Sequence, residues 1–206
     1  MDLYTAMTRA ESVGISVPRQ VYAERTDDLL KKSTELTYPL VAKLVSRKPV
    51  HKTDKGGIVL GIKTPEELVK AYEKIRKAGK KDFLGVLVQE QVKGIEVIIG
   101  GKTDPQFGPV LLFGLGGIFT EIFQDYSLRI LPVNKRKATE MIKEIKAYPV
   151  LKGYRGKQGV NLKKLADTIV KASTLFNDPR IQEFDMNPVM CTKKDCTAVD
   201  ARIITL

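Results

Sequence analysis

The stretch Glu183–Arg202 reads EFDMNPVMCTKKDCTAVDAR. Two apolar, β-prone runs flank the polar centre TKKD, which is the pattern of a hairpin. If the turn centres on Lys193-Lys194, Cys191 faces Cys196. The same register sets Asn187 opposite Asp200. Strand alternation then puts Asp185, Asn187 and Cys191 on one face, with Cys196, Asp200 and Arg202 alongside. A carboxylate and an amide oxygen at one level suit magnesium, whose remaining positions water and nucleotide phosphates would fill. Pro188 fits such a strand only at a bulge or an edge. The two cysteines could close a cross-strand disulfide. In a cytosolic chain two free thiols are the expectation, and a hyperthermophilic source would favour the disulfide.

Upstream, short β-like runs alternate with amphipathic helices. PLVAKLVS (39–46) is a strand that carries Lys43 among aliphatic residues. Such a lysine either snorkels from a strand edge or meets an anion. HKTDKGGIVLGI (51–62) follows and contains the single histidine, His51. On residue type alone His51 reads as a surface loop residue. Beside a nucleotide's terminal phosphate, a neutral imidazole could instead accept a phosphoryl group. Gly56 and Gly57 would let backbone N–H groups approach an anion, or simply make a tight turn.

Thr64-Pro65-Glu66-Glu67 is a capping box with proline at the first helical position. Leu68, Ala71, Tyr72, Ile75 and Ala78 follow at helical spacing, and Gly79 closes the helix. FLGVLVQEQV (83–92) and GIEVIIGGKT (94–103) are strands interrupted by Glu90 and Glu96. Each glutamate is either a strand-edge carboxylate or an acceptor for an amino group or ribose hydroxyls. In FGLGGIFTEIFQDYSLRILP (113–132), Gly114, Gly116 and Gly117 form a second glycine-rich turn. Glu121, Asp125 and Arg129 then recur every fourth residue. On a helix they would make an ion-paired face. In irregular β structure Arg129 could clamp phosphoryl oxygens. Asn134 starts a helix expected to run to Ala147. Asn161 caps another with Leu162, Leu165, Ile169, Ala172 and Phe176 on one side.

The resulting class is α+β. Residues 1–90 and 91–206 are expected to form two lobes, with a ligand in the cleft between them. The 206 residues carry a formal charge of +11. That charge is spread over helices that also carry acids, so nucleic-acid binding is not favoured. No apolar run of about 18 residues exists, which argues against a membrane span. The N-terminus lacks the pattern of a secretory signal, so a cytoplasmic location is expected.

These stretches together resemble the ATP-grasp β subunit of ADP-forming acyl-CoA synthetases, typified by ADP-forming acetyl-CoA synthetase. YPLVAKLVS with HKTDKGGIVLGI, the long block DPQFGPVLLFGLGGIFTEIFQDYSLRILPV, EIKAYPVLKGYRG, and EFDMNPV with AVDAR carry the resemblance. It implies an ATP-grasp fold whose two α+β lobes grip ATP or ADP with Mg2+. It implies a reversible conversion of acyl-CoA, ADP and phosphate into free acid, CoA and ATP. An acyl phosphate would form on a CoA-binding α subunit, commonly in an α2β2 heterotetramer, and a histidine would carry the phosphoryl group between sites. His51 matches the carrier and Lys43 the phosphate-contacting lysine. Gly56 and Gly57 match the phosphate loop, and Glu90 the segment that reads adenine. Glu96 and Glu121 are implied as further nucleotide contacts, Arg129 as a catalytic cation, and Asn187 with Asp200 as the metal pair. A related domain also occurs fused to protein acetyltransferases as a regulatory or binding module. No acetyltransferase segment is found in these residues.

Overall fold

The structure is a computed structural model that describes residues 1–47, 56–117, 124–156 and 158–206. The chain forms two compact units. One comprises Met1, Ala6–Val17 and Val92–Leu206; the other comprises Asp2–Thr5 and Pro18–Gln91. The chain therefore changes units at Gln91–Val92. Residues 6–17, expected in the first lobe, belong instead with the later unit. Their contacts explain this. Lys171 Nζ donates to the Gly14 carbonyl at 2.6 Å, Arg9 pairs with Asp178 at 3.7 Å, and Ser16 makes a parallel bridge to Thr197.

The smaller unit is built on a four-stranded antiparallel sheet. Its strands are β1 (Gln20–Ala23), β2 (Leu40–Ser46), β3 (Ile58–Ile62) and β4 (Phe83–Glu90), in the order β1-β4-β2-β3. Ala42, Leu44, Val86 and Val88 pack against Leu68, Ala71, Tyr72 and Ile75 of helix α3 (Pro65–Gly79) and Leu29 of helix α2 (Thr26–Ser33). The Thr64 cap of α3 forms, with the Glu67 carboxylate reaching back one residue beyond the cap. Thr64 Oγ1 accepts from Glu67 N at 3.2 Å, and Glu67 Oε2 accepts from Lys63 N at 2.7 Å. Such a cap is worth about 1 kcal/mol. Gly79 ends α3 where the helix lies so close to the sheet that a Cβ would sit 2.7 Å from Leu44 Cδ1.

The larger unit begins with most of helix α1 (Leu3–Ser12). Its six-stranded sheet runs β10-β8-β5-β6-β7, with β9 also paired to β8. The strands are β5 (Ile95–Asp104), β6 (Gly108–Leu115), β7 (Tyr126–Ile130), β8 (Ile181–Cys191), β9 (Cys196–Ala198) and β10 (Arg202–Thr205). Helices α4 (Lys135–Glu144) and α6 (Leu162–Ser173) pack on it. Val97, Ile99, Leu111, Phe113 and Phe184 of the sheet are buried, as are Met141, Ile142, Leu165 and Ile169 of the helices. Asn134 and Asn161 cap α4 and α6, accepting from Lys137 N at 3.0 Å and Lys164 N at 3.1 Å.

The helix expected to run to Ala147 breaks after Glu144 and resumes as α5 (Tyr148–Lys152). The cause is Asp125. Its two carboxylate oxygens accept from Lys146 N and Ala147 N, each at 2.8 Å, capturing backbone donors at the break.

Strand β8 carries the feature that alternation alone misses. Along β5, Val97 pairs with Val189 and Ile99 with Met186. Two steps on β5 thus face three on β8, which defines a bulge at Asn187–Pro188. Pro188 sits there without breaking the ladder. The bulge reverses the facing of the strand. Phe184 and Met186 are buried before it, Val189 and Cys191 after it, while Asn187 is exposed. The expected single face of Asp185, Asn187 and Cys191 is therefore corrected. Asp185 and Asn187 face away from the helices, and Cys191 faces the core.

Candidate functional site

The β8 hairpin keeps one register on both sides of the bulge. Cys191 pairs with Cys196 and Val189 with Ala198; Asp185 pairs with Arg202 and Phe184 with Ile203. Asn187 and Asp200 lie at one level between these paired stretches. Val199 N donates to the Pro188 carbonyl at 3.2 Å, which ties the level together.

Asp185 joins them. Its Oδ1 is buried and has no hydrogen-bond partner among the described residues. Burial first, then the Asp200 charge, pushes its carboxyl up to about 6, with Glu183 adding to the rise and Arg202 opposing it. An orphaned carboxylate oxygen costs free energy unless something cationic meets it. Gly100 pairs with Asp185 across β5. A Cβ on Gly100 would stand 3.4 Å from the Phe184 carbonyl and 3.9 Å from Asp185 Oδ1, so the glycine keeps that space open.

Two carboxylates and an amide oxygen form an all-oxygen donor set. It fits a hard cation such as Mg2+ or Ca2+ and offers nothing to a soft one. No group of three His, Cys, Asp or Glu side chains among the described residues could hold a metal ion, so such a site depends on the Asn187 amide. The sequence reading gave Asp185 no ligand role. The signal that marks it is its spacing: residues 185 and 187 alternate onto one face just before the bulge.

Glu96 lies on the same face of β5 as Gly100. Gly116 N donates to its carbonyl at 2.7 Å. A Cβ on Gly116 would meet Glu96 Cβ at 3.0 Å. The glycine turn thus folds directly over Glu96. Glu121, expected in the same segment, lies outside the described residues, as does His51.

Arg129 is placed elsewhere. It pairs with Leu111, which pairs with Gly101, which pairs with Phe184. That is the helix-packed face, opposite Asp185. Its guanidinium donates to Glu144 Oε2 at 2.5 Å and to the Leu128 carbonyl at 2.7 Å. The structure therefore does not bring Arg129 to the metal-compatible face. The helical alternative fails too, because Arg129 stands on a strand and its acid is Glu144.

In the smaller unit, Lys43 is 5% exposed on β2, a strand flanked by β4 and β3. It is not at an edge and does not snorkel. Alternation puts it on the face opposite Ala42 and Leu44, away from α2 and α3. Gly56 takes φ +69°, and the Gly57 carbonyl accepts from Leu44 N at 2.8 Å. The glycine pair therefore starts β3 beside Lys43. Glu90 is engaged within the unit: its Oε1 accepts from Thr37 N at 2.8 Å and lies 3.7 Å from Arg19.

The ATP-grasp domain family matches residues 2–205. The β subunit of acetate–CoA ligase (ADP-forming) I from Pyrococcus furiosus is 44% identical over 198 residues, which cover 93% of this chain and 85% of that one. A solved structure of Ca. Korarchaeum cryptofilum dinucleotide-forming acetyl-coenzyme A synthetase 1, in complex with coenzyme A, Ca-AMPCP and HgCl+, superposes with a TM-score of 0.96. It is 38% identical and is matched over 100% of this chain and 93% of that one. Another structure of that enzyme, with coenzyme A and Mg-AMPPCP, has its phosphohistidine segment pointing towards the nucleotide binding site. Its TM-score is 0.86 at 39% identity, covering 99% of this chain and 92% of that one. The chain belongs to the ATP-grasp family and, within it, to the β subunits of the ADP-forming acetate–CoA ligases.

Proposed function

We propose that this chain moves a phosphoryl group between ATP or ADP and His51, and so couples cleavage of a small acyl-CoA to ATP formation. The orphaned Asp185 oxygen, two residues along β8 from the Asn187–Asp200 level and on the same face as Asn187, is the observation that carries this reading. Asp185, Asn187 and Asp200 would hold the magnesium. When bound, the metal supplies charge neutralisation at the nucleotide's phosphate oxygens. Lys43 adds a fixed positive charge for the same phosphates. Glu96 and Glu121 serve as further nucleotide contacts, and the Gly56–Gly57 turn offers backbone N–H groups to phosphate. In the transfer, the bond from the terminal phosphorus to the ADP oxygen breaks as a bond to an imidazole nitrogen of His51 forms.

The acyl chemistry falls to a CoA-binding α subunit, and an α2β2 assembly in the cytoplasm follows from the same reading. No helix among the described residues is long and apolar enough to cross a membrane. Arg129 has no direct part in the transfer; through Glu144 it steadies the edge strand β7.

Intact mass after incubation with Mg-ATP, kept away from acid, tests the carrier. A gain of about 80 Da in the wild type, absent in His51→Ala, is expected. Full turnover by His51→Ala together with the α subunit would overturn it.

A further inference from the structure

Cys191 and Cys196 are both buried free thiols. They stand directly opposite each other on β8 and β9. The hydrogen bonds fix the phase of this pair. Thr192 N donates to the Asp195 carbonyl at 2.8 Å, which makes Thr192–Asp195 a hydrogen-bonded pair and the cysteines, one step inward, a non-hydrogen-bonded pair. A second bond agrees. Ala198 N donates to the Ser16 carbonyl at 2.9 Å, away from β8, and Ala198–Val189 is in the same phase as the cysteines. In that phase facing Cα atoms approach to about 4.5 Å with their side chains close. A disulfide spans about 4.4–6.8 Å between Cα atoms.

The bulge at Asn187–Pro188 turns these sulfurs into the core, away from Asp185 and Asn187. They are thus not candidates for the oxygen-ligand set. They do lie on the turn that joins its two arms, since Asn187 precedes Cys191 on β8 and Asp200 follows Cys196.

We propose that Cys191 and Cys196 are a disulfide-forming pair, and that the bond locks the register of the hairpin that carries Asp185, Asn187 and Asp200. Formation of the bond is independent of the proposed function; only its value to the metal set rests on that reading. The oxidant class is a small anionic disulfide. One cysteine thiolate attacks a sulfur of the oxidant, forms a mixed disulfide and expels one thiolate. The second cysteine loses its proton and attacks the mixed disulfide at the protein sulfur, expelling the other thiolate. Two protein S–H groups become one S–S bond, and the oxidant leaves as two thiols that take up the protons.

Entry is through the turn. Lys193 and Lys194 are exposed there, so local opening admits the reagent, and their charge attracts an anion. The hydrogen bond from Cys196 first, then burial, pushes the Cys191 thiol far up. Exchange is therefore slow at neutral pH and speeds up as pH rises.

The test exposes the folded chain to oxidised glutathione at pH 8 to 9 and reads intact mass, a non-reducing peptide map and hydrogen exchange. The expected result is a loss of about 2 Da, a Cys191–Cys196 crosslink, and no crosslink in Cys196→Ser. Amides of residues 192–198 should exchange about tenfold or more slowly after oxidation, in metal-free buffer. A glutathione adduct that accumulates on the wild type without the loss of 2 Da overturns the pairing, as does a crosslink that appears only in denaturant. A crosslink that leaves hairpin exchange unchanged overturns the lock. Neither reading involves nucleotide, so a failure of the phosphoryl-transfer proposal is seen separately in the His51 mass experiment.

Discussion

Lys43 and Asp185 are charged residues on central strands, one in each unit: Lys43 among aliphatic residues, Asp185 between Glu183 and Asn187. Lys43 lies on a central strand; PLVAKLVS leaves it open between snorkelling and meeting an anion, and the structure buries it. Asp185 lies two residues before a bulge, among other acids, and one of its oxygens is buried without a partner. A lysine buried in an apolar sheet raises the local positive potential, which favours an anion. Clustered carboxylates repel one another and await a cation. A cationic side chain suits phosphate oxygens and clustered carboxylates suit a metal ion, the two charge types of a nucleotide–metal complex.

The comparison breaks first at Asp185. Asp185→Asn keeps the shape and removes the charge. Mg-ATP-dependent phosphorylation of the chain should fall on the order of 100-fold, because a charged metal ligand is lost. The metal-free protein should at the same time become more stable near neutral pH. The sign follows from linkage. The folded carboxyl titrates near 6, above its unfolded value, so the folded state holds the proton more tightly. The Asp185 contribution to metal-free stability is thus fully present below about pH 4 and declines as pH rises through about 6, by about 3 kcal/mol at most. With saturating Mg2+ that decline should shrink, since the cation replaces the proton. Thermal melts from pH 4 to 8, with and without Mg2+, check both signs. A variant that melts lower than wild type at pH 7 would show that Asp185 is a structural acid and not a ligand waiting for metal.

Lys43→Met sharpens the other half. The methionine fills similar volume without charge. Binding of Mg-ATP should weaken about 10- to 100-fold, the loss of a charge-assisted contact of about 1.5–3 kcal/mol. Binding of adenosine, which has no phosphate, should change little. Titration calorimetry with both ligands reads the difference. Equal losses for both would move Lys43 from phosphate contact to packing.

Legibility from sequence tracked the local period. The capping box at Thr64, the Asn134 and Asn161 caps, and the hairpin register summing Cys191 with Cys196 need only neighbouring residues. Three features did not follow. The bulge at Asn187–Pro188 inverts the strand face, and alternation has no means to locate an inserted residue except through its proline. The helix break at Glu144 depends on Asp125, a residue 21 positions upstream of Lys146. Periodicity within the helix carries no trace of it. Membership of residues 6–17 in the later unit was hidden for the same reason, since their partners Lys171, Asp178 and Thr197 lie far along the chain.

Arg129 gives the smallest expected effect and the sharpest lesson. It stands in a stretch rich in glycine and acids, where residue type leaves it open between an ion-paired face and a phosphate clamp, and only the family resemblance implies a catalytic cation. The register places it opposite Leu111, on the helix side of the sheet, with its charge held by Glu144. The pair is partly solvated, so it is worth little: Arg129→Ala should cost about 0.5–1 kcal/mol, and most of that through lost packing along the arginine stem. Phosphorylation of the chain by Mg-ATP should remain within about twofold of wild type, since no interaction specific to the transition state is removed. Glu144→Ala should cost less, since it removes only the ion pair and leaves the arginine stem packed, and the double variant should lose less than the sum, because the ion pair is shared. A phosphorylation rate that collapses in Arg129→Ala but survives in Glu144→Ala would separate the arginine from its structural partner and restore it to the chemistry.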